Sequence, residues 1–294
     1  MKLMVAAIQM NSGLDIEANL AQAEHWISKA AAAGAKLLVL PENFAVFSAA
    51  ALFDAGEEER ESQRFSQTLK AWSKRYQVWL VAGTLPFRTR LNNVANAEPE
   101  ALVHGRRVRT RCSVYSPEGL CVAAYDKLHL FDVQVADSQG AYSESSAIEP
   151  GEIAVVADLN GYRLGLTICY DLRFPELFTH LAQLGASIIT VPSAFTYVTG
   201  EAHWLPLLRA RAIENQCFVI GANQTGEHPQ QDPAKPPRQT WGHSCVISPW
   251  GEVLAMLEHE PGIACAEIDL DQIAELRRKM PLLSHKRFTV APKR

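Results

Sequence analysis

Short apolar runs alternate with longer amphipathic stretches along the chain, and the alternation predicts strands and helices in turn. Residues 3–9 read as a strand. Residues 16–33 carry apolar positions at helical spacing and stop at Gly34, a residue suited to ending a helix. A strand is expected over 37–40, a helix over 61–76 and a strand over 78–82. Two strands flank the turn signal Pro117-Glu118-Gly119. Residues 132–150 form a long polar stretch holding Gly140 and four serines, of the kind that often carries function. The run 164–168 reads as a buried strand, followed by a helix over 175–184, a strand over 187–191, a helix over 201–216 and a strand over 217–222. Residues 224–238, with four prolines, read as a surface loop. Strands near 244–247, 253–257 and 263–268 and a helix over 271–279 complete the pattern, with Trp250-Gly251 turning the first two. Periodicity alone gives an α/β or α+β chain.

Composition narrows the function classes. The 294 residues, 48% hydrophobic and 20% charged, suffice for a large core, and no repeat or linker divides them, so one domain over 1–294 is expected. A formal charge of −4 gives no general attraction to nucleic acid or anionic membrane. Arg106, Arg107, Arg109 and Arg111 are expected to mark one solvated hairpin. No stretch reaches the roughly 20 apolar residues of a membrane span. The apolar opening meets Gln9, Asn11 and Ser12 too soon for a signal peptide, so a cytoplasmic protein is expected. Of the six cysteines, none stands in a CxxC pair, and all but Cys169 are read as reduced core residues. No zinc-ligand spacing appears among them and the histidines, so neither metal nor cofactor is expected.

Three segments carry candidate chemistry. Cys169 ends the 164–168 strand and faces the start of the helix expected at Pro175, where backbone N–H groups can favour a thiolate or an oxyanion. Glu42 follows Pro41 past the end of the 37–40 strand. Lys127 follows a strand and is trailed by His129. Each alone has an ordinary reading: a buried thiol, a loop acid, a solvated lysine. Together they form a usable set. A carboxylate can take the thiol proton, an ammonium can stabilise the charge developing on a carbonyl oxygen, and the thiolate can form a thioester that water then hydrolyses.

These segments resemble the nitrilase superfamily, the carbon–nitrogen hydrolases with a Glu–Lys–Cys triad. Pro41-Glu42, the run Tyr125-Asp126-Lys127-Leu128-His129-Leu130-Phe131 and the run Cys169-Tyr170-Asp171-Leu172-Arg173-Phe174-Pro175-Glu176 match its three motifs in order. The resemblance extends to about Arg277-Arg278. It implies an α-β-β-α sandwich of four layers and a homodimer packed through the helices on either side of the cysteine. It further implies Glu42 as general base and acid, Lys127 as stabiliser of the tetrahedral intermediate and Cys169 as nucleophile. Glu144 would position Lys127, and the backbone N–H of Tyr170 would complete the oxyanion hole.

Segments 192–195, 199–204 and 209–216, with Trp241-Gly242-His243-Ser244, resemble the Nit branch. That resemblance implies a small amide substrate with a carboxylate, its acyl part a 2-oxoglutaryl group. The leading expectation is glutathione whose γ-glutamyl amine has become a ketone, with cysteinylglycine as leaving group. The alternative is 2-oxoglutaramate, with ammonia as leaving group. Arg173, four residues past the cysteine, is the candidate anchor for the carboxylate, against an ion pair with Glu176. Phe195, Thr196 and His203 are further candidates for the substrate pocket, with helix packing as the ordinary reading of His203 and Trp204. Asp126 stands where many relatives have arginine, Thr110-Arg111 where they often have Asn-Thr, and 98–109 matches poorly. These departures bear on substrate preference. A papain-like pairing of Cys169 with a histidine would leave Glu42 and Lys127 without roles. A catalytically idle scaffold is the non-enzymatic alternative, and the intact triad argues against it.

Overall fold

The computed structural model describes residues 1–91 and 101–288. Two sheets stack face to face with helices outside each, an α-β-β-α sandwich. In the first sheet the strands run Gly262–Asp269, Lys2–Gln9, Leu37–Val39, Trp79–Val81, Arg109–Tyr115 and Leu85–Phe87, with Cys121–Asp126 also paired to Arg109–Tyr115. In the second they run Val253–Met256, Cys245–Ile247, Phe218–Asn223, Ile188–Ser193, Arg163–Leu166 and Val156–Asp158.

The period of two along a strand decides which side chain enters which layer. Val5, Ala7, Leu37 and Val39 point between the sheets and join one core with Leu164, Leu166, Val219 and Val246. Ala6, Ile8, Leu38 and Leu40 point outward and meet Leu20, Ala23, Ile27, Phe65, Leu69 and Trp72 of the outer helices. Helix Ile16–Ala32 starts under a side-chain cap, since Asp15 accepts from the N–H groups of Glu17 and Ala18. On the other side, helix Tyr197–Asn215 lays Trp204 and Leu208 against Gly221, where a β-carbon would come within 2.9 Å of both side chains.

Some elements depart from the expectations. The 61–76 helix is two, Leu52–Ser62 and Arg64–Tyr76, parted by Gln63 in the left-handed region at φ 53°. The 201–216 helix begins earlier, at Tyr197, and carries Pro206 inside. Both long polar stretches hold hairpins: Asp132–Gln134 pairs with Ala141–Ser143, and Thr225–His228 with Arg238–Trp241. Their local composition suits a loop, and it is pairing of the two ends of each stretch with one another that makes them sheet. Residues 92–100 and 289–294, part of the expected 1–294 domain and of the poorly matching segment, lie outside the described residues.

The arginine cluster is solvated only in part: Arg106 is exposed and Arg107 half-buried. Arg109 and Arg111 are buried, the first bonded to Glu149 at 2.5 Å and the second gripping Asp126 through Nε at 2.7 Å and Nη2 at 3.2 Å. Two positions noted as departures thus form one buried ion pair directly before Lys127. Cys121 also departs from its reading, since it is exposed. Among the described residues no helix is long and apolar enough to cross a membrane.

Candidate active site

Strands Lys2–Gln9, Leu37–Val39 and Trp79–Val81 are mutually parallel, as are Arg163–Leu166, Ile188–Ser193 and Phe218–Asn223. Parallel strands put their carboxyl ends on one edge, where open α/β sheets place ligands. Glu42, Cys169, Ala194 and Gln224 all follow such ends. The first three contribute to a cavity of about 480 Å³ that Glu42, Lys127, Glu144 and Cys169 line together.

Glu42 is placed by its neighbours. Its backbone carbonyl accepts from Gln224 Nε2 at 3.0 Å, and Asn43 N–H donates to Thr84 Oγ1 at 2.8 Å. Gly83 has φ +50°, and a β-carbon there would collide with the Pro41 carbonyl, so only glycine lets the two loops close on each other. Lys127 leaves the end of strand Cys121–Asp126. Its N–H donates to the Thr110 carbonyl at 3.0 Å and its carbonyl accepts from Gly151 N–H at 2.7 Å.

The side chains then form one charge array. Lys127 Nζ donates to Glu42 Oε1 at 2.8 Å and to Glu144 Oε1 at 2.7 Å. Lys127 is 2% exposed and Glu42 3%. The second oxygen of each carboxylate is also held, Glu42 Oε2 by Ala194 N–H at 3.0 Å and Glu144 Oε2 by Phe131 N–H at 2.6 Å. Burial works against the ammonium, yet Glu144 and Glu42 hold its pKa well above the ordinary lysine value. Burial raises the Glu144 carboxyl against the pull of Lys127. Two of the three ammonium N–H bonds are thereby spent, which leaves one for a third acceptor.

Cys169 opens a 3₁₀ turn, Cys169–Arg173, at φ +47°. A left-handed conformation is uncommon for a residue with a β-carbon and is kept where surrounding contacts enforce it. As the second residue of that turn, Tyr170 has no acceptor for its N–H within it. The helix expected at Pro175 is a separate element, Pro175–Gln183. Burial and the Glu42 charge push the Cys169 thiol up, so at neutral pH the sulfur keeps its proton until a base removes it.

Sequence reasoning missed the residue that joins the cysteine and lysine loops. Asp171 is fully buried. Its Oδ2 accepts from Tyr125 Oη at 2.6 Å and Ile168 N–H at 2.8 Å, and its Oδ1 from His129 N–H at 3.1 Å and His129 Nδ1 at 2.7 Å. His129 itself stacks on Phe174, with ring centroids 3.7 Å apart. Asp171→Asn replaces an acceptor oxygen by an NH2 facing donors. It is expected to cost about 2–4 kcal/mol and to lower kcat with little change in KM, by denaturant melts and steady-state rates. Unchanged stability would show that the aspartate does not tie the loops.

The substrate-pocket candidates divide. Phe195 and Thr196 line the cavity with Tyr170. Arg173 and His203 are absent from its wall. Arg173 Nη1 lies 3.2 Å from His203 Nδ1, and the guanidinium sits over the rings of Phe195 and Tyr170 at 5.2 and 5.9 Å. Arg173 makes no ion pair with Glu176. Trp204 is core, donating Nε1–H to the His243 carbonyl at 2.8 Å. The cavity histidine is instead His228, with Nδ1 2.7 Å from the Ser12 carbonyl and Nε2 2.7 Å from Thr240 Oγ1. A carbonyl only accepts, so Nδ1 carries the proton. Burial holds the ring pKa down at about 4, and both nitrogens are occupied, which leaves no base for a papain-like pair. Among the described residues no cluster of three or more His, Cys, Asp or Glu is arranged to hold a metal ion.

A thiol and a carboxylate–ammonium–carboxylate array thus line one cavity at the strand ends of an α-β-β-α sandwich. The chain belongs to the carbon–nitrogen hydrolase family of the nitrilase superfamily, whose model matches residues 4–278. It is 39% identical over 284 residues to the deaminated glutathione amidase of Yersinia enterocolitica, an alignment covering 97% of this chain and 93% of that one. It is 40% identical over 290 residues to the protein of that name from Synechocystis sp. PCC 6803, covering 97% and 98%. Among solved structures, Saccharomyces cerevisiae Nit3, a member of branch 10 of the nitrilase superfamily, is similar with a TM-score of 0.79 at 30% identity, covering 98% of this chain and 97% of that one.

Proposed function

We propose that this chain is an amidase that hydrolyses deaminated glutathione to 2-oxoglutarate and cysteinylglycine through a thioester on Cys169. The observation that carries the chemistry is Lys127 Nζ, held between Glu42 and Glu144 in the cavity that Cys169 also lines. Identity of 39–40% to amidases of that name over 97% of the chain supports the substrate.

In this reading Glu42 takes the thiol proton as sulfur attacks the amide carbonyl carbon. The oxyanion receives the remaining N–H of Lys127 and the N–H of Tyr170. The C–N bond breaks as Glu42 returns the proton to the departing amine, which leaves the 2-oxoglutaryl thioester. Glu42 next takes a proton from water, the hydroxide adds to the thioester, and the C–S bond breaks as the proton returns to sulfur. The acyl group lies against Tyr170, Phe195 and Thr196, with Arg173 behind their rings supplying positive potential for the oxo-acid carboxylate.

The test is kcat/KM for deaminated glutathione beside 2-oxoglutaramate, scored by 2-oxoglutarate release. Preference for the first is expected, and Arg173→Lys is expected to raise KM for both. Preference for 2-oxoglutaramate would move the chain to the ω-amidase reading, and activity on neither would refute both substrates. We further propose a cytoplasmic homodimer. The six free thiols support the compartment, and the exposed Leu184, Tyr197, Val198 and Ile213 on or beside the two helices support the interface. Solution mass and fractionation check these, and a monomeric mass or a secreted protein would contradict them.

A further inference from the structure

We propose that Arg238 binds the terminal carboxylate of the leaving peptide and thereby sets the leaving-group preference of this site; the inference rests on the amidase reading above and deepens it. Arg238 opens strand Arg238–Trp241 and lines the catalytic cavity. Its guanidinium is fixed in place. Nη2 donates to the Ala194 carbonyl at 2.8 Å, and the group stands over the rings of Phe47 and Tyr142 at 5.2 and 5.5 Å. Its hydrogen-bonding capacity is nonetheless unfilled. Nε is buried with no partner, and of the buried side-chain atoms in that condition among the described residues, it is the one whose residue lines this cavity. No carboxylate among the described residues lies within ion-pair distance of Arg238, whereas Arg88, Arg90, Arg109 and Arg111 each have one. A rigid guanidinium on a cavity wall, with no carboxylate partner, is suited to receive a planar anion through its free N–H groups.

The position decides which end of the substrate it serves. Ala194 donates its N–H to Glu42 Oε2 and accepts from Arg238 at its carbonyl, so the base and the arginine hold one residue from its two ends. Phe47 lies five residues past Glu42, and Tyr142 two before Glu144. Through Ala194, Arg238 is tied to the base that hands its proton to the departing amine. The acyl group lies on the other side, with Cys169, Tyr170 and Phe195. Cysteinylglycine carries a carboxylate into the Glu42 side; ammonia carries none. Lys235 and Asp232 also line the cavity, from the same connection, and their opposite charges leave Arg238 as the net positive group there.

The test uses deaminated glutathione and its glycinamide analogue, which keeps the acyl group and the thiol and replaces only the terminal carboxylate by a carboxamide. Wild-type enzyme is expected to favour the acid by about 10- to 100-fold in KM, the range of a charge-assisted hydrogen bond. Arg238→Met is expected to erase that preference, read as the ratio of KM for the two peptides, and to lower kcat/KM for deaminated glutathione more than for 2-oxoglutaramate. Arg238→Lys, which keeps the charge without the fork, should retain part of the preference and serves if the methionine variant does not fold. Persistent preference for the acid in both variants, or equal losses on all three substrates, would overturn the assignment. A wild-type enzyme idle on both peptides would overturn the deaminated-glutathione reading and this inference with it.

Discussion

Replacing Cys169 by alanine is expected to lower kcat/KM by at least about 10⁴-fold, the scale on which hydrolases lose activity with their nucleophile. Stability should hardly move. The turn around the thiol is held by Asp171 through Ile168 N–H and by the neighbouring backbone. A shift in Tm of only a few degrees is expected for losing one buried sulfur in a chain of this size. Steady-state rates beside a thermal melt separate the two effects. Near wild-type turnover would remove Cys169 as nucleophile, and collapse of the melt would make the loss of activity uninformative about chemistry.

Replacing Lys127 by methionine is expected to damage activity and fold together. Methionine fits the space of the lysine stem but leaves Glu42 and Glu144 facing each other without their shared cation. Losing one partner of a buried ion pair costs about 3–5 kcal/mol, because the remaining charge stays desolvated. The cost should depend on pH with a definite sign. In the unfolded chain both glutamates titrate near about 4.3. In the folded variant, burial and mutual repulsion raise at least one of them above that value. A group raised in the folded state contributes stability that is fully present below its unfolded pKa and is lost as pH rises through its folded pKa. The gap to wild type should therefore be smallest near pH 4–5 and widest above neutrality. Urea melts of both proteins at pH 5 and pH 8 test this. A gap independent of pH would show that the two carboxylates are not held as a buried pair by Lys127.

Much of this was legible in the sequence because the site lies at strand ends. Four apolar residues followed by Pro41 mark where a ladder stops, and the next side chain, Glu42, is delivered to the edge of the sheet. The same logic placed Cys169 after the 164–168 run. Helix Ile16–Ala32 was readable because its apolar face and its Gly34 stop are local signals. What escaped was set by contacts between distant segments. Asp171 looked like one polar residue among several in a turn, and its four donors come from Tyr125, His129 and Ile168, two of those residues far off in the chain. Arg111 and Asp126 looked like unrelated departures, and pairing of their strands makes them one bond. Arg238 sat in a stretch whose prolines signal a loop, and it reaches the cavity only because its strand pairs with Thr225–His228. Arg173, four residues from the cysteine, seemed better placed, but the 3₁₀ turn directs it toward His203.

The central claim is a 2-oxoglutaryl thioester on Cys169. Its most direct test is mass spectrometry of enzyme mixed with deaminated glutathione and quenched in acid during turnover. A mass increase equal to 2-oxoglutarate less one water is expected, located on the peptide containing Cys169 and absent from Cys169→Ala. The same adduct should form from 2-oxoglutaramate, since the two substrates differ only in what leaves. Turnover with no adduct at any quench time, or an adduct on another residue, would contradict it.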